Sequence, residues 1–461
     1  MIGTLKQMLY SQRLKKPIFP SVLGILVGFL LISSPCLAIP DFKVGSVIID
    51  EEINSALTNW IEQLFKVAGL KQYQPHIYLV VNPELNAAAS TGGQILIHTG
   101  LIQSCDTAAE LLGVLAHEVG HIAGGHIARM DQAAQGAMLP AAAALLLGGA
   151  AALATGNPTP LIAGLSSGEH LFNRGMLKFT RTQESSADQA AMAYLDRLGW
   201  GSQGLLDFFQ VIEKRTQMIS RGIDPYSVTH PLTTDRIKSV EEHMHARSNA
   251  GMIPPHIEAE FQRIRAKVIG FFESPQKILN NSADILKHFS EDDRTYAKAI
   301  ALYRIGKMPE AIARLESLID TRPNDPYLYE LKGQIQFDTG KHPEAIKSLE
   351  MAVQKRPNAR YIKIILAHAL LESDQANAPN QAKKLLIPVT QQDPDNPFAW
   401  RLLAIAHGKL NEEGQASLAL AEEALAKGDD KMAKTHASRA KAALKSGPGF
   451  TRANDILFSQ K

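Results

Sequence analysis

The sequence predicts a mainly α-helical protein, with an α+β part holding a small β-sheet followed by an α-helical repeat array. Three observations carry this. A His-Glu-x-x-His run, His117-Glu118-Val119-Gly120-His121, lies inside an apolar pattern of helical period. A β-rich stretch, His76-Ile77-Tyr78-Leu79-Val80-Val81, precedes it. Beyond residue 290 the chain repeats itself at an offset of 34 residues: Gly306-Lys307 returns as Gly340-Lys341, Pro309-Glu310-Ala311-Ile312 as Pro343-Glu344-Ala345-Ile346, and Arg322-Pro323 as Arg356-Pro357.

The 461 residues can hold two domains, and 45% apolar content is ordinary for a globular protein. Residues 1–38 read as a secretory signal peptide. Lys6, Arg13, Lys15 and Lys16 form a basic start, Ile18 to Ile32 is almost wholly apolar, and Cys36-Leu37-Ala38 suits cleavage after Ala38. An uncleaved anchor is the alternative. Cleavage removes four cations and no anion, so the formal charge goes from 48 − 46 = +2 to 44 − 46 = −2. That balance speaks against nucleic acid as a partner. Cys36 leaves with the signal; the remaining Cys105 has no internal disulfide partner and reads as a plain buried residue.

After the first strand, Asn86 to Thr91 and Gln94 to Thr99 flank Gly92-Gly93, which suits a tight hairpin. A helix is expected from Asp106 to Arg129. Thr107 and Glu110 can form a capping box, and Leu111, Leu115 and Ile122 make an apolar stripe. On that helix His117 and His121, four apart, share a face and can converge on one zinc ion, with Glu118 within reach of water beside it. A catalytic zinc then needs one more protein ligand. Arg181-Thr182-Gln183-Glu184-Ser185-Ser186-Ala187-Asp188 opens a second helix running to Leu195. Glu184 is the candidate third ligand. Asp188, four residues on, can accept a hydrogen bond from a ligating imidazole, and Arg181 can pair with either carboxylate. His230 precedes a proline at a bend before a helix opening near Thr233. It can donate to the oxyanion of a tetrahedral intermediate, or fill the open metal position and hold the enzyme latent. His126, five residues past His121, does not share its face and reads as structural.

HEVGH followed some sixty residues later by RTQESSAD resembles the M48 zinc metallopeptidases, of gluzincin type. Asn86-Ala87, Gly92-Gly93-Gln94-Ile95-Leu96-Ile97 and Gly100-Leu101 match as well, as does Thr229-His230-Pro231-Leu232-Thr233-Thr234-Asp235-Arg236. The resemblance covers roughly residues 45 to 247. It implies one Zn2+ per chain on His117, His121 and Glu184, and Glu118 as general base. With the repeat half, it points to the periplasmic subgroup carrying tetratricopeptide (TPR) repeats. That subgroup implies a periplasmic location, misfolded or stalled outer-membrane proteins as substrates, and the β-barrel assembly machinery as partner.

Between the ligand helices, Ala137 to Ala154 reads AMLPAAAALLLGGAAALA. It barely reaches the length a bilayer needs, and Pro140 and Gly148-Gly149 interrupt it. A helical insertion packed over the cleft as a lid, or in peripheral membrane contact, is expected; a transmembrane span is the alternative. The domains expected are residues 39–275 for the protease and 276–461 for the repeats, with 248–290 as connection. Helix pairs are expected at Tyr296–Ile305 with Met308–Ile319, and at Tyr327–Thr339 with Pro343–Gln354. Two looser units follow, around Trp400 and around Gly428-Asp429-Asp430, making about four.

The function expected is a zinc metalloendopeptidase that hydrolyses peptide bonds in unfolded or misfolded polypeptides, its repeat half binding substrate or assembly machinery. A chaperone or adaptor with a structural or silent metal site is the alternative. The intact Glu118 argues against it, since a structural site has no need of that carboxylate.

Overall fold

A computed structural model describes residues 43–155, 159–218, 226, 229–246, 251–280 and 285–458. The expected signal peptide and its cleavage point fall outside these. The chain divides into two compact units. One takes the residues up to Glu52, with the short strand β1 (Val47–Ile48), together with Ile269–Lys461; the other is Ile53–Val268.

The Ile53–Val268 unit is built around one buried helix. Helix α1 (Glu51–Val67) turns Leu57, Trp60, Ile61 and Leu64 into the core, at the i, i+3, i+4, i+7 spacing of one helical face. Strands β2 (His76–Val80), β3 (Ala87–Ala89) and β4 (Gln94–His98) follow. β2 runs parallel to β4 with His76 opposite Gln94, and β3 pairs antiparallel to β4 with Ala87 opposite Ile97. The hairpin read from Gly92-Gly93 is present, closed by a single 3-10 turn at Thr91–Gly93. β3 is an outer strand of the sheet.

A short helix, α2 (Thr99–Ser104), ends at Cys105, which is buried and free. Helix α3 (Ala108–Ala123) then runs through the interior, its side chains from Glu110 to His121 all buried. Half of the expected capping box forms: the Glu110 N–H donates to Thr107 Oγ1, while the Glu110 carboxylate accepts from the Asp106 N–H, one residue before the cap, at 2.7 Å. α3 is covered by α5 (Thr159–Leu198) and α6 (Gln203–Met218). Gly113 and Gly120 admit these neighbours. A Cβ on Gly120 would stand 2.8 Å from the Ala187 carbonyl oxygen of α5, and one on Gly113 2.8 Å from the Leu205 N of α6.

The helix expected to reach Arg129 ends six residues earlier. Gly125 takes φ +61°, a conformation that suits glycine and stops a right-handed helix. A new helix, α4 (His126–Thr155), starts beyond it. α4 continues through Pro140, where an interruption was expected, and packs along the first half of α5 as an antiparallel pair. No helix among the described residues is long and apolar enough to cross a membrane. Helix α7 (Thr234–His245) is capped by Thr233, whose hydroxyl faces the Arg236 N–H, and α8 (Pro255–Phe272) follows.

In the other unit α9 (Pro275–Asn280) leads into the array: α10 (Glu291–Arg304) with α11 (Met308–Thr321), α12 (Pro326–Asp338) with α13 (His342–Lys355), α14 (Arg360–Leu371) with α15 (Ala378–Gln392), α16 (Pro397–Lys409) with α17 (Glu413–Ala426), and α18 (Asp430–Leu444) with α19 (Pro448–Phe458). That makes five pairs among the described residues, where the sequence suggested about four. The pair α14 and α15 lacks the Gly-Lys and Pro-Glu-Ala-Ile marks of the two pairs before it and so left no signature. In the α16–α17 turn Asn411 takes φ +58°, at the place where Gly306 and Gly340 stand in the first two pairs; asparagine tolerates that region better than most residues. The Glu51 carboxylate accepts from the Tyr361 N–H at 2.9 Å, supplying the N-terminus of α14, whose cap residue Ala359 has no side-chain acceptor.

Candidate metal centre

Three segments of the Ile53–Val268 unit bring their side chains to one point. α3 supplies His117, Glu118 and His121. α5 supplies Glu184 and Asp188, one turn apart. The bend before α7 supplies His230. All six are buried.

His117, His121, Glu184 and His230 form a cluster suited to a metal ion. His117 Nε2 lies 3.0 Å from His121 Nε2, 3.3 Å from Glu184 Oε2 and 3.4 Å from His230 Nδ1. Glu184 Oε1 lies 3.3 Å from His121 Nε2 and 3.2 Å from His230 Nδ1. Four ligands at about 2.0–2.1 Å from a tetrahedral zinc stand about 3.3 Å apart. The side chains therefore fit a tetrahedral divalent ion, and their imidazole and carboxylate donors are those zinc takes.

The charges around the cluster have identifiable causes. Burial would pull the His117 imidazole down, but hydrogen bonds to Asp188 and Glu184 outweigh it and raise it to about 9. His121 is held below its ordinary range, first by burial and then by the neighbouring His117. Burial alone would push the Glu184 carboxyl up, yet hydrogen bonds from three histidines hold it far below the usual carboxylate range. A carboxylate so stabilised is available to a cation as an anion.

A surrounding set of groups aims these side chains. Asp188 Oδ1 accepts from His117 Nδ1 at 2.8 Å, leaving Nε2 as the donor atom that faces the cluster. Arg236 binds both carboxylates: Nε and Nη2 donate to Asp188 at 2.6 and 2.8 Å, and Nη1 lies 2.9 Å from Glu184 Oε2. Burial opposes the Arg236 charge, and Asp188 more than restores it. Arg181, expected in this place, is instead exposed on α5 and borders a cleft of about 480 Å³ with Ser185, Gln189 and Thr233. It stands seven residues before Asp188, with its side chain turned outward, whereas α7 delivers Arg236 from across the centre. The sequence did carry the signal for Arg236, as the arginine ending the matched run from Thr229, but assigned it no partner.

His126 is the second residue whose role the sequence missed. The break at Gly124-Gly125 turns it back onto α3, where its Nδ1 lies 2.9 Å from His121 Nδ1. Burial pushes it down to about 4, with the charges of His121 and Arg129 adding to the effect. A neutral ring there can accept from His121 Nδ1–H and leave His121 Nε2 facing the cluster. Helical spacing could not show this contact, because the two residues are on different helices.

Glu118 stands beside the cluster. Its Oε2 accepts from the Ala89 N–H of β3 at 2.7 Å. Its Oε1 is buried with no hydrogen-bond partner and faces His230 Nε2 at 3.6 Å. A buried acceptor left open there is placed to take a proton from a water at the centre. His230 shows the cluster its Nδ1 and Glu118 its Nε2, and stacks on Tyr226 with ring centroids 4.8 Å apart.

The chain's similarities agree with this arrangement. Residues 51–244 match peptidase family M48, and residues 296–360 match the tetratricopeptide repeat. The chain is 29% identical over 356 residues to the Beta-barrel assembly-enhancing protease of Yersinia pestis, covering 75% of this chain and 70% of that one. It is 28% identical over 357 residues to the protein of the same name in Escherichia coli K12, with the same coverage. A shorter match, 22% over 186 residues, reaches the Mitochondrial metalloendopeptidase OMA1 of Schizosaccharomyces pombe, spanning 40% of this chain and 50% of that one.

Proposed function

We propose, for a chain that belongs to peptidase family M48 and is a metalloendopeptidase with tetratricopeptide repeats, that it cleaves extended, unfolded segments of polypeptide at a zinc centre held by His117, His121 and Glu184. The observation that carries this is the open Glu118 Oε1 beside the four-residue cluster. Zinc bound there would supply Lewis acidity toward the scissile carbonyl and bring the pKa of water near 7.

The chain's own groups do the rest. Glu118 takes the proton of the attacking water on Oε1 and returns it to the leaving amine. Its Oε2 is pinned by the Ala89 N–H, which keeps the base at the lip of the outer strand. β3 has an unpaired side along which an extended peptide can add as a further strand, presenting its backbone to Glu118. Such binding reads main chain more than side chain and favours unfolded clients.

His230 gives the resting enzyme its state in this reading. Its Nδ1 stands where a fourth ligand would, 3.2 Å from Glu184 Oε1, so the position that water and substrate need is filled until His230 withdraws. Once displaced, an imidazole N–H there can donate to the developing oxyanion. Replacing His230 with Ala is expected to raise peptide cleavage several-fold under the latent reading. A fall in rate would assign His230 to the oxyanion alone.

The names of the Yersinia and Escherichia relatives support clients drawn from β-barrel assembly in the outer membrane, with the repeat array as the surface that meets clients or machinery. The basic and apolar residues 1–32 support export to the periplasm. The test of the chemistry is Glu118→Gln, which keeps shape and charge-free hydrogen bonding but removes the base. Cleavage of an unfolded protein such as reduced casein is expected to fall about 10²–10⁴-fold with bound metal unchanged. Full activity in that variant would end the mechanism.

A further inference from the structure

The last two helix pairs of the array divide their charge unevenly. α17 carries Glu413, Glu422 and Glu423 and no base, whereas α18 carries Lys431, Lys434, Arg439 and Lys441 against Asp430, a net of 4 − 1 = +3. Two of the α17 acids are taken up inside the array. Arg401 Nε of α16 lies 2.8 Å from Glu423 Oε2, and Lys427 pairs with the other oxygen of that buried carboxylate. Arg452 of α19 binds Glu422 at 2.6 and 2.9 Å. None of the four α18 cations meets a carboxylate among the described residues.

On one side of α18 these cations stand beside exposed aliphatic side chains. α16 presents Arg401, Ile405 and Gly408 on one face, and α18 presents Met432, His436 and Arg439, both at the i, i+4, i+7 spacing. The rows meet at Glu423, which pairs with Arg401 and whose charge reaches His436. Burial and the charge of Arg439 hold the His436 imidazole below its ordinary range, Glu423 opposes them, and Arg401 adds to the effect. His436 Nδ1 is buried with no hydrogen-bond partner among the described residues. The Arg401 side chain stays 52% exposed despite its pair, while Ile405 is 40% and Met432 43% exposed. A Cβ on Gly408 would meet nothing within 4 Å, so the α16 row is open at its end. Lys434 and Lys441 share the other flank of α18, where Lys441 lies over the rings of Phe450 and Phe458.

Charge complementarity says what covers such rows. Guanidinium groups present a fork that fits carboxylates, and clusters of them recognise acidic motifs. Exposed aliphatic side chains between them suit an aliphatic side chain between the carboxylates. Over the whole chain bases and acids nearly balance, 48 against 46, so the attraction is local and not the general pull on polyanions that marks a nucleic-acid binder. Each row spans about 10 Å at 1.5 Å per residue, which is about three residues of extended chain.

We propose that the α16 and α18 rows bind an extended acidic peptide segment of a partner protein, its carboxylates on Arg401 and Arg439 and an aliphatic side chain between them on Ile405 and Met432. The binding rests on the reading of the repeat array as a surface for clients or machinery, and gives that surface a place and a chemistry. The metal centre takes no part in it.

The test is fluorescence anisotropy of short labelled peptides on the full chain carrying Glu118→Gln, so that the probe outlasts the measurement. The peptides alternate leucine with glutamate, with glutamine or with lysine. The glutamate peptide is expected to bind saturably, about tenfold or more tighter than the other two, and to weaken as salt is added. R401Q/R439Q is expected to lose about tenfold, whereas K434Q/K441Q, which removes the same charge from the other flank of α18, stays within about twofold. R439Q alone, at a side chain with no ion pair to lose, covers the case in which R401Q disturbs the fold; a loss of about threefold is expected with circular dichroism unchanged. A glutamate peptide that binds no better than the glutamine peptide, an equal loss in the two double variants, or unchanged affinity in R439Q would overturn the proposal. Binding of the glutamine peptide would then leave the array as a peptide surface, and no binding by any of the three would count against that reading as well. A single-stranded RNA that displaces the glutamate peptide, binds tighter and is lost in R401Q/R439Q would overturn the proposal too, assigning the rows to nucleic acid.

Discussion

His126 and His121 face each other Nδ1 to Nδ1 at 2.9 Å across the break between α3 and α4. This contact does for His121 what Asp188 does for His117: it occupies one ring nitrogen and so leaves the other facing the cluster. A ligand fixed in tautomer and orientation loses less freedom on binding. His126→Leu is therefore expected to weaken metal affinity about 10–100-fold, measured by competition with a chromophoric chelator, while His126→Asn, which keeps an acceptor, retains part of it. Unchanged affinity in the leucine variant would reduce His126 to packing.

Gly120 lies within the motif yet binds nothing. Its role is distance: a methyl group there would press on the Ala187 carbonyl oxygen of α5, 2.8 Å away. Glu184 and Asp188 flank Ala187 on that helix. Overpacking of this kind costs about 1–3 kcal/mol, and relief requires α5 to shift, carrying both carboxylates. Gly120→Ala is expected to lower the melting temperature and reduce bound metal although every ligand is present. Full metal content at native stability would show that α5 is not held in place by this contact.

The helix positions of His117, His121, Glu184 and Asp188 were legible because the period of a helix fixes which residues share a face. Arg236 and His126 were not, for different reasons. Arg236 acts across 48 residues of chain on Asp188, and no local spacing encodes that approach. His126 depends on Gly125 adopting φ +61°, which changes the geometry from one helix to two. In the array, α10 to α13 were read from a strict 34-residue identity, whereas α14 and α15 are held by apolar burial at Ile362, Ile365, Leu366 and Leu386 without turn marks. The α4–α5 packing escaped as well. Composition showed an apolar segment, but only the structure shows Gly164 and Gly168 packed on Ala144 and Ala141 with Leu139, Leu146 and Leu147 exposed.

His368 gives the array a pH dependence. Its ring lies against Phe337 and Phe398, with centroids 5.0 and 5.5 Å away. Burial pushes it down to about 4 from an ordinary 6.5, against a raising pull from Glu372. Above pH 6.5 the ring is neutral both folded and unfolded, and no stability is lost. As pH falls from 6.5 to 4 the unfolded chain takes up a proton that the folded chain excludes, so stability falls by about 3 kcal/mol at most, and no further below 4. His368→Leu is expected to flatten this acid-side loss, followed by the melting temperature of the array across pH 7 to 4. A native-like slope in the variant would place the titration elsewhere.

Metal content tests the proposed catalytic centre of four buried side chains before any assay that a latent enzyme could fail. Inductively coupled plasma mass spectrometry on the purified mature chain is expected to find about one zinc per molecule, with the metal lost in His117→Ala and in Glu184→Ala while both remain folded. A native protein that carries no metal, and takes none up when zinc is supplied, would rule out a metal centre at these residues.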